Sequence, residues 1–448
     1  MIDVTLILFG ASLILFFGFF AGWVFKKISV PDVLFLIILG FVIGPNVLNY
    51  ISLESLGSIA PVFTTFTLLF LLFDGAFNIN LSSLIREFSS SFVLTMFNFI
   101  ISTLVVGVIV YVFGLIFGLD ISILVSLLTG FLLGGVSSSF VIPVLQQMKI
   151  KEKLYSLLTL ESALTDVFCI VGSLTILEII SIGSFGLKAT MTQIASIFAV
   201  AGLIGIIGGI IWIVLIDHLF KEHNYMITIA YLILLFVFAD FLVSGSGALS
   251  ALFFGLMLKN SKQLSSIIKG ITTRDAREKK KALKGELGVS VTTPSEQYFY
   301  HQISFFLKTF FFVYIGLLLD LTDTNALIIG AIISVAVMFS RTASNILTKA
   351  MEGNDRALVN SMFARGLAAA AIAQLAITAQ IPHALFVAKV SYVVITLTIV
   401  LSSIKVFFVK RRMPDVQEIS GVKSTKVKKR KSSSKKKVTR KVSSKKKS

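Results

Sequence analysis

LTLESALTDVFCIVGSLTILEII, residues Leu158–Ile180, is apolar enough to lie in a membrane, yet it carries Glu161, Ser162, Thr165 and Asp166 close together. A charge at bilayer depth costs several kcal/mol on most scales, so carboxylates placed there line an ion path or meet a buried partner. Arg341 and Arg365 stand in two later apolar stretches and can supply internal counter-charge. The pattern points to an ion-coupled membrane transporter.

Composition agrees. Hydrophobic residues make up 56% of the 448 and charged residues 14%, where a soluble domain has roughly 45–50% apolar. Mean hydropathy is +0.92. The apolar runs are roughly 20 residues long, enough to cross hydrocarbon as helices. They fall at about 4–25, 31–50, 58–77, 90–118, 121–145, 155–182, 190–217, 224–243, 246–259, 300–320, 325–349, 359–380 and 384–409, about thirteen spans of an all-α polytopic protein. The first run lacks a basic flank and a small-residue cleavage site, so it is expected to be retained. Cys169 is the single cysteine, which excludes a disulfide framework or a cysteine-based metal site. His218, His223, His301 and His383 show no metal-ligand spacing. No phosphate-binding glycine loop, dinucleotide fingerprint or Ser-His-Asp pattern is present. The sequence therefore implies no cofactor and no covalent chemistry, and an ion gradient must drive transport.

Charge sets the expected orientation. With the C-terminus cytoplasmic, thirteen spans put the N-terminus outside. The inside loops then collect Lys26, Lys27, Arg86, the cluster at Lys149–Lys153, Lys221, a basic cytoplasmic loop at 259–302, and Lys349 with Arg356. A prokaryotic-style plasma membrane suits this pattern. Residues 411–448 form a basic tail with too little apolar content to pack a core. From Lys410 onward seventeen Lys and Arg face two acids, so fifteen of the eighteen net positive charges belong there. The tail is expected to be disordered, and either to enforce topology or to bind anionic lipid or nucleic acid. No soluble protein partner is implied.

Two spans are interrupted. GGVSSSFVIP (Gly134–Pro143) lies in the fifth and ARGLAAAAIAQ (Ala364–Gln374) in the twelfth, each placing Gly beside polar residues. Lying an odd number of spans apart, they cross in opposite directions, as paired breaks in inverted halves do around a transporter's site. The plainer reading is that Gly135 and Gly366 permit close helix packing. Ser162 and Asp166 share one helix face, and a hydroxyl with a carboxylate suits a small alkali cation, which needs hard oxygen ligands. Glu161 points ~140° away from Asp166 and reads as half of a structural ion pair, with Arg341 as its partner. A carboxyl out of water holds its proton more firmly and a nearby cation loosens it. One acid balanced near neutrality can then take either a proton or a metal cation. Ser137, Ser138 and Ser139 can add hydroxyl or freed carbonyl oxygens. Asp74, near the cytoplasmic end of the third span, either draws cations inward or caps its helix. Lys308 either pairs with an acid or snorkels to the interface. Asp240 reads as a helix–helix hydrogen-bonding group.

Glu161-Ser162 with Thr165-Asp166, SRTASN at Arg341, and Arg365-Gly366 together resemble the monovalent cation:proton antiporter superfamily, in particular its sodium/proton exchanger (NhaP-like) branch. GSGALSALFFGLMLKN and FFFVYIGLLLD extend the resemblance, which covers about residues 1–410. It implies a homodimer in the membrane lipid and a sodium/proton antiporter-like fold. The mobile core would use helices at about 90–182 and 325–409, the dimerisation unit those at about 1–80 and 224–320, with a linker helix at about 190–217. Two positions depart from the branch. Thr165 stands where exchangers carry Asn and electrogenic relatives a second Asp, and Ser137–Ser139 is nearer to potassium-efflux-like relatives than to the usual Thr-Asp-Pro.

The cation/proton site is therefore expected among Asp166, Ser162, Thr165, Asp74, Ser138 and Ser139, with Na+ at Asp166 and Ser162. Glu161, Arg341 and Arg365 are expected to form the structural ion pair. A single exchangeable acid favours electroneutral exchange of Na+ for H+ by alternating access. Potassium efflux by an antiporter or channel, a sodium-coupled organic-solute symporter, and a membrane scaffold that transports nothing are the alternatives.

Overall fold

A computed structural model describes residues 4–28, 31–50, 60–77, 81–148, 150–182, 187–218, 225–262, 264 and 292–412. Most of the basic loop and the tail from residue 413 lie outside them. The described residues fold into α1 (Val4–Ile28), α2 (Asp32–Ile43), α3 (Ala60–Ala76), α4 (Leu81–Phe117), α5 (Ile123–Leu132), α6 (Ser138–Met148), α7 (Glu152–Ile182) and α8 (Leu187–His218). After these come α9 (Tyr225–Leu242), α10 (Ser246–Lys259), α11 (Pro294–Leu318), α12 (Thr324–Ser340), a 3-10 turn (Arg341–Ile346), α13 (Gly353–Val359), α14 (Leu367–Thr378) and α15 (Ala384–Arg412). Eight of them (α1, α4, α7, α8, α9, α11, α12 and α15) are long and apolar enough to cross a bilayer, and α2, α3, α5, α10 and α14 are shorter apolar helices. Each expected span overlaps an apolar helix; the fifth holds α5 and α6 on either side of a break, and the twelfth holds a non-helical stretch followed by α14.

Two details differ from expectation. α11 starts at Pro294, inside the stretch assigned to the cytoplasmic loop. Thr293 caps it: its hydroxyl accepts from the Glu296 N–H at 3.2 Å, and its own N–H donates to the Glu296 carboxylate at 2.7 Å. This reciprocal box, with Pro in the first turn, is a strong start signal. Asp240 bonds its own turn and, among the described residues, no other helix. It accepts the Gly245 N–H at 2.9 Å, closing the link from α9 to α10 where Gly245 has φ +82°, a conformation glycine adopts without steric cost.

The helices pack as two groups. α4, α5, α6, α7, α12, α14 and α15 surround a core that includes Leu128, Ile170, Ile333, Ile372 and Ile395. α3, α8, α9, α10 and α11 share an aromatic core of Phe70, Phe73, Trp212, Phe254 and Tyr300. α2 lies on α11 so closely that a β-carbon on Gly40 would overlap the Val313 carbonyl, and one on Gly316 the Ile37 carbonyl. Such small-residue crossings let membrane helices gain dispersion contact. The groups meet where α3 and α11 touch α14, where α3 and α8 touch α7, and where α11 touches α15. Phe16 and Phe19 on α1 and Leu234 and Phe241 on α9 face outward, as a lipid-facing surface requires.

The loop between α11 and α12 is tied from both sides. Asn46 donates to the Leu319 carbonyl at 2.6 Å, and Lys389 of α15 reaches Asp320 and Asp323 at 2.9 and 3.1 Å. Hydrogen bonds from Thr322 and Lys389 hold the Asp320 carboxyl down to about 2.

Candidate ion-binding site

The fifth span breaks over residues 133–137, between α5 and α6, and the twelfth over 360–366, ahead of α14. The Ser137 N–H donates to the Ala364 carbonyl at 2.8 Å, joining the two breaks by backbone where they cross. Gly366 lies flat against Ser137, whose side chain a β-carbon at 366 would overlap. The break and the close approach are thus one feature, and both readings of these glycines apply.

α7 runs past the crossing. Ser138 Oγ, at the start of α6, donates to Asp166 Oδ2 at 2.6 Å. Asp166 is 8% exposed, enclosed by protein with a remnant of access. Pro143 has no N–H for the Ser139 carbonyl one turn earlier, leaving that oxygen without its helical donor. Ser139 itself is half-buried beside the Asp166 contact.

The other expected neighbours act differently. Ser162 shares the Asp166 face by spacing, but its hydroxyl donates to the Thr159 carbonyl of its own helix at 3.0 Å. Thr165 Oγ1 accepts the Val136 N–H at 3.0 Å and faces the Ser162 carbonyl at 3.0 Å. Of the expected hydroxyls, Ser138 makes the direct contact with Asp166.

Glu161 lies buried in the fork of Arg341. Arg341 Nη2 donates to Glu161 Oε2 at 2.7 Å, Nη1 donates to Oε1, and Nε donates to the Val359 carbonyl at 3.0 Å. Two parallel charge-assisted bonds fix orientation as well as charge. Asn98 Nδ2 on α4 adds a third bond to Oε1, at 2.8 Å. Asn98 escaped the sequence reading, although a carboxamide within a long apolar helix was a signal of the same kind as Glu161.

Arg365 does not join this pair, contrary to expectation. Its Nη1 donates to the carbonyls of Gly134, at 3.0 Å, and Gly135, and its N–H donates to Thr398 Oγ1 at 3.0 Å. A broken helix strips carbonyls of their donors in a place without water, and the guanidinium fills that gap. Asp74 on α3 is paired as well, with Lys308 at 3.3 Å and His301 at 3.5 Å. Lys308 thus pairs with an acid, as one of its two expected readings had it.

Residues 13–411 match the sodium/hydrogen exchanger transmembrane family. The chain belongs to that family. It is accordingly a multi-pass cation:proton antiporter, a transporter and not an enzyme. Its fold is similar to that of the sodium proton antiporter MjNhaP1 from Methanocaldococcus jannaschii, whose structure at pH 8 aligns with TM-score 0.68 at 19% identity, covering 91% of this chain and 98% of that one. An electron-microscopy structure of the same antiporter aligns with TM-score 0.69 at 19% identity, over 92% and 98%. No curated protein sequence matches the chain.

Proposed function

We propose that this exchanger trades Na+ for H+ electroneutrally by alternating access, with Asp166 as the shared site. The Ser138–Asp166 hydrogen bond at the crossing of two broken spans carries this reading. A proton occupies Asp166 in one half-cycle. In the other, Na+ sits against the carboxylate, and the Ser138 hydroxyl turns an oxygen lone pair toward it. Ser162 retains lone pairs on the same face for the cation. A single exchangeable acid supports one-for-one exchange, since Glu161 is held by Arg341 and Asp74 by Lys308. Asp166 is left as the one carboxylate at this crossing without a basic group at ion-pair distance among the described residues.

The group formed by α4–α7 and α12–α15 would carry Asp166 against the group of α1–α3 and α9–α11, the latter serving a homodimer, with α8 as the linker between them. The excess of basic loops supports an outside N-terminus and a cytoplasmic C-terminus in the plasma membrane, where the basic tail would lie on anionic lipid. Potassium exchange is the second reading, favoured by the neutral Ser138 at the contact with the acid.

The test adds Na+, Li+ and K+ in turn to proteoliposomes with a trapped pH dye, for wild type and Asp166→Asn. Na+ should move protons in wild type alone, with no net current on solid-supported membranes. A robust current would sink electroneutrality, a preference for K+ would promote the second reading, and no proton movement with any cation would overturn antiport at this site.

A further inference from the structure

Thr165 and Cys169 stand one turn apart on α7, on the side that meets the fifth-span break. The Gly135 N–H donates to Cys169 Sγ at 3.1 Å and the Val136 N–H to Thr165 Oγ1 at 3.0 Å. Thr165 Oγ1 also lies 3.3 Å from the Val136 carbonyl. The next amide, of Ser137, goes to Ala364. Three successive N–H groups of the break therefore find acceptors outside it, two of them on the helix that bears Asp166. A thiol is a weak acceptor, but a buried amide without water must take whatever acceptor it can reach. The contact is close-packed as well: a β-carbon on Gly135 would come within 2.5 Å of the Cys169 sulfur and 2.9 Å of the Thr165 carbonyl.

We propose that Thr165 and Cys169 are positioning residues that stitch the fifth-span break to α7, so that Ser138 and Asp166 travel as one rigid unit through the transport cycle. Ser138 follows Val136 by two residues, and anchoring the amides of Gly135 and Val136 fixes where its hydroxyl arrives. In this role Thr165 holds backbone and is not a cation ligand. The proposal rests on Asp166 being the exchange site.

The experiment uses the intact chain in proteoliposomes, with N-ethylmaleimide as probe of its one thiol and Na+-driven proton flux as a second readout. Cys169 should resist labelling at rest and during turnover, and react fully after denaturation. Thr165→Val keeps the shape but removes the acceptor. It should speed labelling and raise the KM for Na+, each by about tenfold, the effect of losing one hydrogen bond, and Thr165→Ser should restore both. Labelling of wild type that accelerates during turnover would overturn the proposal, as would a Thr165→Val protein with wild-type KM and labelling. Should Thr165→Val fail to fold, Cys169→Ser and Cys169→Ala decide: Ser keeps an acceptor and the wild-type KM, whereas Ala raises it, and equal KM values would refute the stitch. A wild type without Na+-driven flux is a different failure, that of the exchange reading, and labelling of Thr165→Val still reports on the stitch.

Discussion

Replacing Arg341 by glutamine removes two of the three hydrogen bonds on Glu161 and leaves a carboxylate deep in the protein with only Asn98. The Val359 carbonyl loses its donor as well. Stripping one partner from a buried ion pair costs roughly 3–5 kcal/mol, because the remaining charge keeps its desolvation penalty. Glu161→Gln should fall in the same range by stranding the guanidinium. Asn98→Ala should cost less, about 1.5–3 kcal/mol, since it removes one bond to a charged group that keeps its counter-ion. The double variant Glu161→Gln/Arg341→Met carries no buried charge and should recover much of the loss. Reversible unfolding in mixed micelles with rising SDS, followed by circular dichroism, measures all four. An arginine variant that loses under about 1 kcal/mol, the value of an exposed pair, would refute the reasoning, as would a double variant no more stable than its weaker parent.

Three further substitutions probe other features. Gly366→Ala drives a β-carbon into Ser137; it should cost about 1–3 kcal/mol as an overpacked site and depress cation-driven proton flux, and wild-type flux and stability would contradict the crossing geometry. Gly316→Val should separate α2 from α11, seen as a lower melting temperature in detergent, whereas an unchanged melting point would mean the two backbones do not touch. Asp320 is held near 2 by Thr322 and Lys389, below the ordinary ~3.9 of an aspartate. Its contribution to stability is therefore complete above that ordinary value and is lost as pH falls from about 4 toward 2. Melting temperatures across that window should drop more for wild type than for Asp320→Asn, and parallel curves would rule out the contact.

Much of the architecture is legible because a bilayer imposes length and polarity on every crossing segment. The paired glycine-bearing interruptions and the intramembrane charges point to the crossing and to the Glu161–Arg341 pair by the same logic of cost. Side-chain destinations are another matter. Spacing places Ser162 on the Asp166 face, but a hydroxyl bonds the nearest free carbonyl, which is in its own helix. Arg365 looks like a counter-ion in sequence, while its real partners are carbonyls, and backbone atoms leave no residue-type trace. Thr293-Pro294-Ser295-Glu296 did carry a readable cap, hidden by its position beside a lysine-rich loop.

The reach of Arg365 has a temporal side. Its guanidinium answers carbonyls 231 and 230 residues earlier in the chain, and the Ser137 amide waits for Ala364. At ribosomal speeds of about 5–20 residues per second, that is a delay of roughly 10–50 s. Throughout it the fifth span is complete in sequence but not in bonding, and hydrocarbon offers its open backbone nothing. Maturation of the first half therefore depends on synthesis of the second, and a nascent chain stalled before its twelfth span would display that gap to the quality-control machinery of the membrane.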